Sequence, residues 1–259
     1  MSSPDPFGPL LEYPERSVIL TDFDGSLAPI VDDPSAARPV QGTTAALEAL
    51  VAAFGRVGVV SGRTVSFLRR ALPVPGLVLA GLYGMERLVD GAVVLDAAVE
   101  PFLGVAEQAA ADIERALPGL YVERKGEVSC VIHWRAAPDR GDEALAIGRD
   151  IARRHGLAAA EGRMALELRP DVAVDKGTTA TALADGFDCA LFAGDDRGDL
   201  AAFDALDAMV GSRHLRWAVK LAVQSEEAPE PLLARADERV SGPAELVRVL
   251  GALGNAVQR

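Results

Sequence analysis

Four aspartates in two short runs are the residues of this chain best placed to do chemistry. Asp22 and Asp24 frame Asp22-Phe-Asp-Gly-Ser26, directly after the apolar run Ser17-Val-Ile-Leu-Thr21. Asp195 and Asp196 open Asp-Asp-Arg-Gly-Asp199, after the apolar run Cys189 to Ala193. The two-residue spacing lets a carboxylate point outward while Phe23 turns toward a core. Brought together, such carboxylates repel by about 4 kcal/mol per pair, for an effective dielectric near 20 and a gap near 4 Å. A divalent cation relieves that cost. Oxygen donors without paired histidines or thiolates favour Mg²⁺ over zinc or copper. A cation in turn invites an anion, and a phosphoryl group also needs hydrogen-bond donors around its oxygens. Ser61, directly after Val57-Gly-Val-Val60, offers a hydroxyl and a backbone N–H. Lys176, opening a helical pattern, adds a full charge to the positive end of a helix.

Those local cations matter because the chain as a whole is acidic. Thirty-eight acidic against 26 basic side chains give a formal net charge of -12. A field of that sign opposes binding to nucleic acid or to anionic membranes. No apolar run approaches the roughly 18 residues of a membrane span, and the first residues lack the basic-then-apolar pattern of a secretory signal. Cys130 and Cys189 each sit in an apolar stretch, as expected of reduced, buried thiols. The expected setting is cytoplasmic.

The elements that must hold these residues alternate between strand-like and helical patterns, which argues for an α/β fold with a parallel sheet. In such sheets ligands bind outside the carboxyl ends of the strands, where Asp22, Ser61 and Asp195 fall. The rhythm changes after Gly84. Two runs around Asp90-Gly91 suit a hairpin with a type I′ turn. A long helical pattern near Glu100 to Leu117, further strands and a helix over about Gly141 to His155 follow. The expectation is a discontinuous core, residues 1–84 and 174–259, carrying an α+β insert over 85–173.

Within the insert, alternation along residues 128–135 puts Ser129, Val131, His133 and Arg135 on one face and Val128, Cys130, Ile132 and Trp134 on the other. Glu123 and Lys125 are in phase on their strand, as are Glu167 and Arg169 on theirs. One apolar face needs covering by the insert helices. The other is polar and suited to hydroxyl-rich ligands.

In sequence order, Asp22-Phe-Asp-Gly-Ser26, Ser61, Lys176 and Gly194-Asp-Asp-Arg-Gly-Asp199 resemble the four motifs of the haloacid dehalogenase (HAD) phosphatase superfamily. The resemblance extends to trehalose-6-phosphate phosphatases through DFDGSLAPI (22–30), Ser61-Gly-Arg63, GLYGME (81–86), Glu167-Leu-Arg-Pro170 and the set Glu123, Lys125, Ser129, His133 and Arg135. It departs at Tyr83, where a histidine is usual, and at Gly198 and Leu200, where Thr and Glu are usual. The resemblance implies a Rossmann-like HAD core with a C2-type cap. Asp22 would be the nucleophile and Asp24 the general acid and base. Mg²⁺ would sit on the Asp22 carboxylate, the Asp24 backbone carbonyl and Asp195, with Ser61 and Lys176 on the phosphoryl oxygens. Asp196 is expected behind that row, holding Lys176 or a metal-bound water, with direct ligation of the metal as the alternative, and Asp199 is expected either behind the row or as the N-cap of the following helix. Glu123, Lys125, Ser129, His133, Arg135 and Glu167 are expected to bind the substrate, and Arg63 to contact the phosphate or to pin a loop. That substrate is a small sugar phosphate, first trehalose 6-phosphate, with sucrose phosphate or a mannosylglycerate phosphate as alternatives. A trehalose-6-phosphate synthase is the expected partner, and a catalytically silent binding partner of such a synthase is the reading from another class.

Overall fold

The computed structural model describes residues 5–257 apart from 32, 90, 163, 226 and 227. The described chain falls into two compact units, residues 1–94 with 174–259 and residues 95–173. The first begins with α1 (Gly8–Glu12), then β1 (Ser17–Thr21), α2 (Thr43–Ala53), β2 (Arg56–Val60), α3 (Val65–Ala71), β3 (Val78–Gly81), β4 (Glu86–Val89) and β5 (Ala92–Leu95). In the second lie α4 (Val105–Ala116), β6 (Tyr121–Lys125), β7 (Ser129–His133), α5 (Gly141–His155), β8 (Leu157–Gly162) and β9 (Ala165–Pro170). The chain then returns to the first unit through α6 (Lys176–Ala184), β10 (Cys189–Gly194), α7 (Leu200–Gly211), β11 (Trp217–Val223), α8 (Glu230–Arg235), β12 (Glu238–Val240) and α9 (Pro243–Val257).

In the core sheet the strands run β12-β11-β10-β1-β2-β3-β4-β5. All pairings from β12 to β3 are parallel, and β4 returns antiparallel to β3 through Ala80↔Arg87 and Gly81↔Glu86. Every residue of β1 is buried, as a parallel strand covered on both faces requires. Ile19 faces a cluster with Leu47, Leu50, Leu68 and Leu250, from α2, α3 and α9. Val18 and Leu20 face Phe203, Leu206 and Leu232, from α7 and α8. Strand order steps away from β1 in opposite directions on its two sides, through β2 and through β10. A crevice forms at such a reversal, outside the carboxyl ends of the strands.

Two expectations need correction. The hairpin expected in the insert, around Asp90-Gly91, belongs to the core: β4 and β5 extend the core sheet and the second unit starts at Leu95. The ladder from β3 to β4 holds the hairpin there; its turn type involves Asp90, outside the described residues. The single helix expected from Glu100 is broken. A 3₁₀ turn, Ala97–Phe102, carries Pro101, and α4 starts afresh after Gly104, which has φ +76°. Proline removes a helical donor and Gly104 takes a left-handed conformation, so the pattern splits.

The second unit is an antiparallel sheet, β6-β7-β9-β8. Its apolar face, with Val122, Cys130, Ile132, Leu166 and Leu168, packs on Ala109, Ala110 and Ile113 of α4 and on Ala144, Ile151 and Ala152 of α5. Among the described residues no helix is long and apolar enough to cross a membrane. The parallel core and the α+β insert are the architecture expected from the sequence.

Candidate active site

Asp22 is the first residue beyond β1, and its N–H donates to the Ala193 carbonyl of β10 at 2.9 Å. The sheet itself therefore carries the nucleophile candidate to the switch point. Asp22 is 4% exposed. Its Oδ2 lies 2.8 Å from Lys176 Nζ. Its Oδ1 is buried with no hydrogen-bond partner among the described residues, an arrangement that costs free energy unless another group completes it.

Lys176 is equally enclosed, and α6 delivers it from its first position, with Asp175 capping the helix in a reciprocal box with Thr178. Besides Asp22, its ammonium reaches Asp199 Oδ1 at 2.6 Å and Asp196 Oδ1 at 3.7 Å. Burial works against that charge, but Asp199, Asp22 and Asp196 outweigh it and hold the ammonium well above its ordinary range. Asp199, wholly buried, ties the loop after β10 together. Its Oδ2 accepts from the N–H groups of Asp195 and Asp196 at 2.9 and 3.0 Å. Asp196 is largely exposed and caps the following 3₁₀ turn, accepting from Gly198 N–H at 2.8 Å.

Asp195 is buried and accepts from Ser26 Oγ at 3.2 Å. Gly25, with φ +75°, is held close beneath it. A Cβ there would stand 1.9 Å from Asp195 Oδ2, so only glycine fits. Burial first, and then the neighbouring acids, push these carboxyls up, Asp22 to about 7 and Asp195 and Asp199 each to about 8, against the pull of Lys176.

Oxygens of Asp22, Asp195 and Asp199 lie within 4.8 Å of one another. With Asp199 engaged by Lys176 and the loop amides, Asp22 and Asp195 are the donors left to a cation. An all-oxygen pair that includes an orphaned buried atom fits a hard divalent ion such as Mg²⁺. Ser61 follows β2 and is buried; its N–H donates to Ala80 of β3 and its Oγ accepts from Arg63 N–H at 3.3 Å.

Of the two roles expected for Arg63, its contacts fit the pinning of a loop. Its Nε and Nη2 donate to the two carboxylate oxygens of Asp24 at 2.6 and 2.7 Å, and Nη1 donates to the Pro34 carbonyl at 2.8 Å. GLYGME (81–86) is a brace. Glu86 accepts from Val65 N–H at the head of α3, and Tyr83, at φ 63°, donates its N–H to the Ser61 carbonyl at 2.8 Å.

In the second unit the polar face gathers Glu123, Lys125, Ser129, His133 and Glu167. Glu167 accepts from Ser129 Oγ at 2.9 Å and from Lys125 Nζ at 3.4 Å. His133 Nε2 lies 2.9 Å from Glu123 Oε2. Val131 stands between them, opposite Glu123 on β6 and Glu167 on β9. Arg135 falls outside this row, because β7 ends at His133 and Arg135 enters a turn. Sequence reasoning missed Tyr121, which is 61% exposed and stacks on His133 with centroids 5.4 Å apart. Its phase with Glu123 and Lys125 was the available signal. It also missed Ser26 as a partner of Asp195, and gave Asp199 too small a part.

The parallel sheet brings Asp22, Lys176 and the loop of Asp195 to Asp199 together at one switch point. A haloacid dehalogenase-like hydrolase from Bacteroides thetaiotaomicron shares the fold, with TM-score 0.63 over 92% of this chain and 99% of that one at 15% identity. A crystal structure of a trehalose-6-phosphate phosphatase related protein matches at TM-score 0.77 and 26% identity, over 92% of this chain and 97% of the other. Residues 20–230 match the trehalose-phosphatase family model. Trehalose-phosphate phosphatases of Mycobacterium marinum and Mycobacterium avium are 38% and 40% identical over 74% and 73% of this chain. The chain spans about half the length of these curated relatives, 52% and 51%. The chain belongs to the trehalose-phosphatase family.

Proposed function

We propose that this chain is a Mg²⁺-dependent phosphatase that converts trehalose 6-phosphate to trehalose and phosphate through a phosphoryl-Asp22 intermediate. The observation that carries the reading is the state of Asp22. One carboxylate oxygen is fixed by Lys176 and the other is buried without a partner, at a strand end beside Asp195.

Asp22 attacks phosphorus in line with the departing sugar oxygen, and Asp24 gives that oxygen a proton. Asp24 then takes a proton from the water that releases phosphate and restores the Asp22 carboxylate. Lys176 and Ser61 meet charge on the phosphoryl oxygens, while Asp199 keeps Lys176 aimed. Mg²⁺, held by Asp22, the Asp24 backbone carbonyl and Asp195, would offset negative charge as the phosphoryl group moves. Family membership supports the sugar, as does the polar face of the insert, whose Glu123, Lys125, Ser129, His133 and Glu167 suit hydroxyl recognition. A trehalose-6-phosphate synthase is the natural partner of this reading, because its product would be this substrate. Two buried free cysteines agree with a cytoplasmic setting.

Replacing the nucleophile tests the covalent step. Asp22→Asn keeps size and removes the charge, so turnover should vanish while the thermal transition persists. An Asp22→Asn protein retaining a tenth of wild-type phosphate release would contradict the mechanism.

A further inference from the structure

Arg63 carries a role that the site chemistry above does not give it, and the inference rests on the reading of Asp24 as acid and base. We infer that Arg63 is a positioning residue that holds the Asp24 carboxylate for the second half-reaction, the hydrolysis of phosphoryl-Asp22. Three contacts fix the guanidinium. Nε and Nη2 form a parallel fork on Asp24 at 2.6 and 2.7 Å. Nη1 is anchored on the Pro34 carbonyl at 2.8 Å. The guanidinium carbon lies 4.6 Å from the centre of the Phe67 ring.

Phe67 meets Phe23 edge-on, with centroids 5.5 Å apart and an interplanar angle of 82°. Phe23 is the buried residue between nucleophile and acid. Backbone, aromatic pair and guanidinium therefore close a ring around Asp24. Such a ring restricts the Asp24 side chain, whose own exposure of 34% would otherwise leave it several rotamers. The Arg63 side chain is only 12% exposed, and each of its guanidinium nitrogens donates inside the core unit. A residue so committed is poorly disposed to follow a ligand.

The fork also selects a half-reaction. Two parallel N–H donors match the two acceptor oxygens of a carboxylate. A carboxylate is the form Asp24 has when it receives a proton. In that step the water oxygen bonds to phosphorus, the bond from phosphorus to the Asp22 oxygen breaks, and the water proton passes to Asp24. Orientation errors of an ångström at such a step cost about a hundredfold in rate.

The test uses p-nitrophenyl phosphate, whose leaving group departs without a proton, so phosphoryl transfer to Asp22 does not need Asp24. Arg63→Met keeps the aliphatic stem on Phe67 and removes the fork; Arg63→Lys keeps the charge and removes the fork. Both should release a burst of p-nitrophenol approaching one equivalent per enzyme. The steady state that follows should be about tenfold to a hundredfold slower than wild type, with KM unchanged or lower. Asp24→Asn should show the same burst. The double variant Arg63→Met/Asp24→Asn should be no slower than Asp24→Asn by more than about threefold, because both changes disable one group.

If Arg63 binds substrate instead, KM rises, no burst appears and the two losses multiply, which overturns the inference. A wild-type steady state in Arg63→Lys would overturn the fork. Should Arg63→Met lose its cooperative melt, Arg63→Lys carries the same comparison. Failure of the substrate reading looks different: the wild type would hydrolyse p-nitrophenyl phosphate and ignore trehalose 6-phosphate, leaving this comparison intact. A wild type inert toward both esters removes the reading and the inference together.

Discussion

Asp22 shows how burial and chemistry are linked at the scale of one side chain. A carboxyl this enclosed, with Asp195 and Asp196 nearby, is pushed up to about 7, and Asp195 and Asp199 follow to about 8, all above the ordinary 3.8. Raised native values mean that the folded state binds more protons than the unfolded chain between about pH 4 and 8. Stability of the metal-free protein should therefore fall as pH rises through that window. Mg²⁺ held as proposed would bind the ionised carboxylates and should flatten the fall. Thermal melts from pH 5 to 8, in chelator and in Mg²⁺, measure this directly. Asp22→Asn removes one of the titrating groups and should reduce the slope in chelator, which separates the site from the general effect of a net charge of -12. A chelated protein whose melting temperature stays level or rises across the window, with no change in Asp22→Asn, would contradict the account.

Elements explain what could be read from the sequence and what could not. The strands β1, β2 and β10 were legible because burial on both faces forces continuous apolar runs, and their ends gave Asp22, Ser61 and Asp195. Lys176 was legible as a helix start. β11 and β12 carry no such uninterrupted run. β11 carries Lys220 in its middle, pairing with Asp207 at 2.7 Å, so its run is interrupted by a charge that tertiary structure satisfies. The grip of Arg63 on Asp24 joins residues far apart in sequence, and no local pattern encodes it. The insert was legible as a two-faced sheet as far as His133, where the alternation outlived the strand. Its polar face carries a test of recognition. Glu167→Ala should cut kcat/KM for trehalose 6-phosphate by about tenfold to a hundredfold, or roughly 1.4–2.7 kcal/mol. Hydrolysis of p-nitrophenyl phosphate, which has no sugar hydroxyls, should change far less. Equal losses on both would make Glu167 a support for Ser129 and Lys125 rather than a reader of sugar.

For the whole molecule, the proposed function divides its labour between the two compact units. The core carries the carboxylates, Lys176 and Ser61, and the insert carries a polar face with no nucleophile of its own in the proposed chemistry. On that proposal substrate choice would vary in one unit while phosphoryl transfer is kept in the other, as expected of sites grafted on a shared fold. Tyr83, Gly198 and Leu200 depart from the usual family pattern without removing any group assigned to the chemistry. The chain covers about half of each mycobacterial relative, 52% and 51%. The most direct measurement is phosphate release by this chain over a panel of sugar phosphates that includes trehalose 6-phosphate, sucrose phosphate and a mannosylglycerate phosphate, each with Mg²⁺ and with excess chelator. The expected result is the highest kcat/KM for trehalose 6-phosphate and loss of release in chelator. Release that survives exhaustive chelation, or a clear preference for another ester, would contradict it.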